Sequence, residues 1–349
     1  MTRKPLFSSL TRVWPARPDA IEWAPQGRTE WQNGDLVVAE VVRGSRERPL
    51  ELTTGRKVEL TEGDWLVGVL GRRHATLEAT GTWEVVGDDG RMEVLTGGGV
   101  LGRLTSQSVL MEPFPQVSYR GHVRERGETV SMRGILPDPV EGGPYDIPTI
   151  LVIGTSMSAG KTTTARILIR HLADSGRRVL GAKLTGAGHY RDILGMSDSG
   201  ADKVLDFVDA GLPSTVVPEA EYREALARLL PEMAASEADV AVVEMGASPL
   251  EPYNGETAVR AVRNQTRYVV LCATDPYAVL GIQAAYPLDV DLVTGIASNT
   301  LAGVELVHRL CGVPALNLRD PASWPDVVKT LAPRLGLEDS ALLTELEDG

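Results

Sequence analysis

The stretch Gly154-Thr155-Ser156-Met157-Ser158-Ala159-Gly160-Lys161-Thr162-Thr163 restricts this chain more than any other segment. It follows the apolar run Thr149-Ile150-Leu151-Val152-Ile153 and precedes Thr164-Ala165-Arg166-Ile167-Leu168-Ile169, whose apolar spacing is helical. That order predicts a strand, a loop and a helix. Glycines let the loop curl so that successive N–H groups and the helix start face an anion, while Lys161 reaches the outer phosphates and the Thr162 hydroxyl is placed for Mg²⁺. The ligand this predicts is a nucleoside triphosphate, contacted by Gly154, Thr155, Ser156, Ser158, Ala159, Gly160, Lys161, Thr162 and Thr163. The usual spacing would put the first glycine at position 155, so Gly154 leaves one extra residue in the loop.

At 349 residues the chain is long enough for two domains, each with its own core. A formal charge of -12 argues against nucleic acid as the main partner, and the arginine-bearing stretches Arg43 to Arg48 and Arg120 to Arg126 read as solvated loops. Cys272 lies in a strand-like apolar run and Cys311 near the end of a helix-like run, so both read as core thiols of a reducing compartment and imply neither a disulfide framework nor a metal cage. The start Met1-Thr2-Arg3-Lys4-Pro5 lacks the apolar stretch of about 7–15 residues of a secretory signal. Nor does any run approach about 18 apolar residues. A cytoplasmic protein with no membrane partner is expected.

Up to about residue 145 the chain alternates in short β-branched runs broken by Gly and Asp. Leu36 to Val42, Lys57 to Leu60, Trp65 to Leu70, Trp83 to Val86 and Met92 to Leu95 read as strands of a small sandwich or barrel. Asn33-Gly34-Asp35, Glu62-Gly63-Asp64 and Asp88-Asp89-Gly90 fall where hairpins should reverse, and Gly97-Gly98-Gly99 reads as a tight bend. Pro137-Asp138-Pro139-Val140-Glu141-Gly142-Gly143-Pro144 is the composition break, which divides the chain into a β-rich domain, 1–145, and an α/β domain, 146–349. Beyond it, strand-like runs at 150–153, 179–184, 215–217, 240–244, 268–273, 292–297 and 315–318 alternate with helical segments. The expected fold is a mostly parallel, doubly wound α/β sheet with a separate amino-terminal β-rich domain.

Parallel sheets gather functional residues at the carboxyl ends of their strands. The run Val240-Ala241-Val242-Val243 ends in Glu244, an acid placed to hold Mg²⁺, directly or through water, beside bound phosphates; alternatively it only opens the next loop. Lys183 closes the second strand, where it can neutralise a transferring phosphoryl group or an anionic substrate, or simply end the strand in solvent. Residues 188–202 form a polar stretch too long for a tight turn. Asp202 is either a third Mg²⁺ ligand or the cap of a helix over 203–209, and His189 is a less favoured acid–base candidate. Pro249 to Gly255 can wall a substrate site. Asn299 can read a purine edge or cap the helix beginning near Ala302.

The phosphate loop, Lys183, Asp202 and Glu244-Met245-Gly246 together resemble dethiobiotin synthetase and its relatives over about residues 147–320. That resemblance implies ATP as cofactor, phosphate or substrate contacts for Lys161 and Lys183, and Mg²⁺ ligation by Thr162, Asp202 and Glu244. A closer likeness, in loop type, amino-terminal domain and the segment Glu244 to Gly255, is to a prokaryotic P-loop family that includes D-glutamate N-acetyltransferases. This chain departs from that family at Ser156-Met157-Ser158 and in its β-rich amino-terminal half. Met157 lies where partition and arsenite-pump ATPases carry an early lysine, which favours a metabolic enzyme over a dimeric motor. The leading expectation is an ATP- and Mg²⁺-dependent enzyme that phosphorylates or ligates a small anionic metabolite, with Lys161 and Lys183 as catalytic residues. Two alternatives stay open: an N-acyltransferase whose loop grips a CoA thioester, and a nucleotide-dependent regulatory module. A small-molecule substrate is the expected partner, and a homo-oligomer is compatible with the sequence.

Overall fold

The strands of the amino-terminal half are β1 (Leu6–Phe7), β2 (Glu22–Ala24), β3 (Leu36–Arg43), β4 (Ser45–Glu51), β5 (Lys57–Leu60), β6 (Trp65–Leu70), β7 (Arg72–Ala75), β8 (Ala79–Thr82), β9 (Arg91–Val94), β10 (Val100–Gln107), β11 (Gln116–Glu125) and β12 (Glu128–Thr129). They are seen in a computed structural model that describes residues 4–14, 21–140, 142–286 and 288–337. β6, β3, β11, β9 and β10 pair in that order, and β10 returns to β6 through Val100 opposite Val69 and Leu101 opposite Leu70. This last pairing closes the sheet into a barrel, which leaves no open edge among those strands. Side chains two apart on a strand face the same side, and Val37, Ala39 and Val41 accordingly enter one buried cluster with Leu66, Leu70, Met92, Val94, Leu101 and Val117. Gly34 and Gly63 reverse the chain at φ +91° and +80°, a region that glycine enters without steric penalty. Trp83 to Val86 is not a strand. Trp83–Val85 is a 3₁₀ turn, started by the Thr82 hydroxyl, which accepts the Glu84 N–H.

The carboxyl-terminal half carries β13 (Thr149–Gly154), α1 (Lys161–Asp174), β14 (Val179–Thr185), α2 (Tyr190–Ser197), β15 (Lys203–Asp206), α3 (Glu219–Ala234), β16 (Val240–Met245), α4 (Gly255–Val262), β17 (Thr266–Ala273), α5 (Pro276–Ala285), β18 (Leu292–Gly295), α6 (Leu301–Cys311) and α7 (Trp324–Leu335). Its six strands run parallel in the order β15-β14-β16-β13-β17-β18, flanked by helices. β13, β14 and β16 are buried along their whole length, as continuous apolar runs in the middle of a parallel sheet must be. α1 buries Lys161, Thr164, Ala165, Leu168, Ile169 and Leu172, a spacing of three and four that places one face on the sheet. Asp275 caps α5 by accepting the N–H groups of Tyr277 and Ala278, and Pro276 occupies the first turn, where its missing N–H costs nothing.

In this half, four expected elements differ from the sequence reading. The helix over 203–209 is instead the edge strand β15, because Asp202 takes the Val179 N–H on its carboxylate at 2.7 Å and gives its own N–H to the Val179 carbonyl at 2.9 Å, which starts a ladder. Residues 215–217 are not a strand, and Ala315 contributes a single parallel bridge to Val293 in place of a strand over 315–318. β18 stops at Gly295, whose φ of +91° turns the chain into the 3₁₀ segment Ile296–Ser298. The chain divides into two compact units: one runs to Pro139 and includes Ala187–Arg191 and Phe207–Ala225, and the other holds Val140–Gly186, Asp192–Asp206 and the chain from Leu226 onward. Truncation of Leu66, fully buried in the barrel cluster, tests that core. Leu66→Ala is expected to cost about 2–5 kcal/mol in chemical denaturation.

Candidate functional site

The loop between β13 and α1 turns through Ser158 at φ +62° and Gly160 at φ +105°. α1 follows directly on Gly160, and no side chain caps the amide groups of its first turn. Gly154 explains its own identity: a Cβ there would lie 2.8 Å from Lys161 Cδ and 2.9 Å from Nζ, so only glycine lets the lysine fold back along the loop. Lys161 Nζ donates to the Ser156 carbonyl at 2.7 Å. The Thr155 N–H donates to the Cys272 carbonyl at 3.0 Å, which ties the loop to the end of β17. Burial lowers the Lys161 ammonium below the ordinary lysine range, and Glu244 acts against that shift.

β14 and β16 lie side by side, with Lys183 in register with Glu244 on one side and with Asp206 of β15 on the other. The three form a charged row at the carboxyl edge of an otherwise apolar sheet. Glu244 Oε1 accepts from the Thr162 hydroxyl at 3.2 Å, so the first turn of α1 and the end of β16 meet. Its Oε2 is buried with no hydrogen-bond partner. Burial raises the Glu244 carboxyl above its ordinary range, and Lys183 opposes the shift. Burial also disfavours the Lys183 charge, but Asp192 and Glu244 outweigh it and hold that ammonium well above the usual lysine value. Asp192, on α2, receives the Lys183 ammonium directly. Gly186 and Gly246 leave room for the lysine stem; a Cβ on either would come within 3.2 Å and 3.4 Å of Lys183 Cε.

The structure thus brings together Gly154, Thr155, Ser156, Ser158, Ala159, Gly160, Lys161, Thr162, Thr163, Lys183 and Glu244. The exposed Asn299 follows the segment that begins at Gly295, and Gly295 packs on the loop: a Cβ added to it would lie 2.4 Å from the Ala159 carbonyl oxygen. Asp202 stands apart. Its bond to the Val179 N–H places it at the amino end of β14, away from the carboxyl edge where Thr162 meets Glu244. The acids that do reach the row are Asp192 and Asp206. Asp206 was obscured because its segment read as a helix, although an acid closing a short apolar run is the same signal that marked Glu244. Asp192 had no signal beyond its place in the long polar stretch, since its approach to Lys183 depends on how α2 packs.

His189 belongs to the unit that contains the barrel and packs on Gly97, where a Cβ would come 3.3 Å from its ring. Tyr253 is fully buried, while Pro249 and Leu250 line a pocket of about 350 Å³ with Glu256, Arg260 and Tyr286, none of them part of the charged row. Cys272 is a buried thiol pushed up to about 12 by burial and thus no nucleophile, and Cys311 is half-buried. Among the described residues no group of three or more His, Cys, Asp or Glu side chains is arranged to hold a metal. No described helix is long and apolar enough to cross a membrane.

Loop, helix start and parallel sheet define a P-loop α/β fold. No family model matches the sequence, and no curated protein matches it. Among solved structures the chain is similar to chloroplast FtsY from Physcomitrella patens, at 15% identity and a TM-score of 0.37 over 50% of this chain and 59% of that one. It is similar to the cell division protein FtsY of Thermotoga maritima, at 18% and 0.35 over 61% of this chain and 75% of that one. It is also similar to a DUF1611 family protein from Anabaena variabilis, at 15% and 0.35 over 60% of this chain and 62% of that one. The chain therefore spans 59% of the first of these structures. These likenesses are remote, and the P-loop assignment stands on the loop's own geometry.

Because Lys183 titrates above its unfolded value, its ion pair with Asp192 contributes fully below the unfolded lysine value of about 10.4 and is lost as pH climbs through the folded value. Asp192→Asn is expected to cost about 3–5 kcal/mol near neutral pH. Urea unfolding at neutral pH and again above about pH 10.4 should show that deficit shrinking at the higher pH.

Proposed function

We propose that this chain is an enzyme that uses a nucleoside triphosphate, ATP, with Mg²⁺ to phosphorylate or ligate a small anionic metabolite, in the manner of dethiobiotin synthetase. One observation carries the reading. The buried Glu244 carboxylate touches the Thr162 hydroxyl with one oxygen and keeps the other without a hydrogen-bond partner, beside a loop whose amide groups start an uncapped helix. A buried carboxylate oxygen left unmatched is costly unless a ligand completes it, and a hard cation with oxygen ligands suits this pair. Thr162 and Glu244 would hold Mg²⁺, which supplies charge neutralisation between the phosphates.

The chain's own groups divide the remaining work. The loop amides and Lys161 grip the outer phosphates, exchanging the Ser156 carbonyl for phosphate oxygens as the partner of the ammonium. Lys183 stays protonated across the physiological range and offers a fixed positive charge to a transferring phosphoryl group or to the substrate's own anion. Asn299, exposed beyond the end of β18, would meet the base.

Calorimetric titration with a non-hydrolysable ATP analogue tests the proposal. Tight binding that requires Mg²⁺ is expected, with a loss of at least about tenfold in Lys161→Ala and loss of the Mg²⁺ requirement in Glu244→Gln. Binding of acetyl-CoA in place of the analogue would assign the loop to a CoA diphosphate and reject phosphoryl transfer.

A further inference from the structure

Glu51 ends β4 and is 1% exposed. Its backbone N–H already donates to the Gly97 carbonyl at 2.8 Å, so the strand does not need the side chain for pairing. The carboxylate nevertheless accepts three hydrogen bonds. Oε2 accepts from the Ser9 hydroxyl at 2.6 Å and from the Tyr190 N–H at 2.7 Å, and Oε1 accepts from the Arg191 N–H at 2.8 Å. Tyr190 and Arg191 are the first two residues of α2, so Glu51 supplies the acceptor that the first N–H groups of a helix lack and places its negative charge at the positive end of the helix dipole. The next residue of that helix is Asp192, which holds the Lys183 ammonium. Within one helical turn successive residues rise only about 1.5 Å each, so fixing the amides of Tyr190 and Arg191 fixes the backbone from which Asp192 projects.

We infer that Glu51 is a positioning residue for Lys183: its carboxylate anchors the first turn of α2, and α2 presents Asp192 to the lysine at the carboxyl edge of the sheet. Glu51 and the first two residues of α2 belong to the unit that contains the barrel, whereas Asp192 and Lys183 belong to the other unit. A role for Lys183 in turnover rests on the reading above, but the anchoring of α2 does not.

Glu51→Gln keeps size and shape while turning an acceptor oxygen into an amide group that faces an N–H donor. The full-length protein, without nucleotide, is labelled with an amine reagent at one pH and read residue by residue by mass spectrometry, with amide exchange over residues 190–197 followed in parallel. Labelling of Lys183 should rise severalfold in Glu51→Gln and in Asp192→Asn, with faster amide exchange over 190–197 in Glu51→Gln and with Lys161 unchanged in both variants. Unchanged Lys183 labelling in either variant overturns the inference. A common rise at Lys161 and Lys183 also overturns it, because that is the mark of general loosening. If Glu51→Gln does not accumulate as folded protein, Ser9→Ala removes one donor to the same carboxylate; a smaller rise confined to Lys183 supports the assignment, and no rise rejects it. The measurement involves no nucleotide, so a failure of the proposed ATP chemistry would leave its outcome intact.

Discussion

Two lysines are buried at the carboxyl edge of the parallel sheet, and the arrangement around them follows from the need to keep their charges. An ammonium removed from water is tolerated only beside compensating groups. Lys183 meets this with Asp192 in direct contact and with Glu244 and Asp206 in register on the two flanking strands. Lys161 is matched less well, with a backbone carbonyl as its hydrogen-bond partner and burial drawing its titration down. The unequal matching separates their roles. One lysine has a carboxylate in direct contact, and the other a backbone carbonyl.

The phosphate loop follows the same logic from the backbone side. Gly154 is needed because the stem of Lys161 occupies the space a side chain would take, and Gly295 because the loop's Ala159 carbonyl oxygen leaves no room for a Cβ at the end of β18. Backbone N–H groups and a carboxylate oxygen left without protein partners are unfavourable unless something outside the chain completes them. On the function proposed above, such a loop is completed by a ligand rather than by its own hydrogen bonds.

The barrel is built on a different principle. Its strands alternate, one face inward, and the return of β10 to β6 closes the sheet so that the buried side chains form one cluster. Outside the barrel sheet, β4 pairs with β5 alone, and at its end Glu51 gives its carboxylate to the amides of a helix far along the sequence. Hydrophobic burial accounts for the barrel's stability, but it gives no reason for a carboxylate at that position.

Much of this was legible in the residues. The strand–loop–helix around Gly154 and Lys161, the acid closing β16, the lysine near the end of β14 and the change of rhythm near residue 140 are all local patterns, and local patterns survive folding when propensity and burial agree. Long-range pairing was not legible. Whether Lys203–Asp206 is helix or strand depended on the Val179 backbone offering a ladder to Asp202, and that decision moved Asp202 away from the site and brought Asp206 to it. The contact of Asp192 with Lys183, the closing of the barrel and the bond from Glu51 to α2 join residues whose sequence separation carries no periodicity. The sequence by itself determined which chemical groups sit at the strand ends, because strand ends are set by short-range pattern. Only the tertiary structure decided which of those groups face one another, because buried charges choose partners by proximity in space.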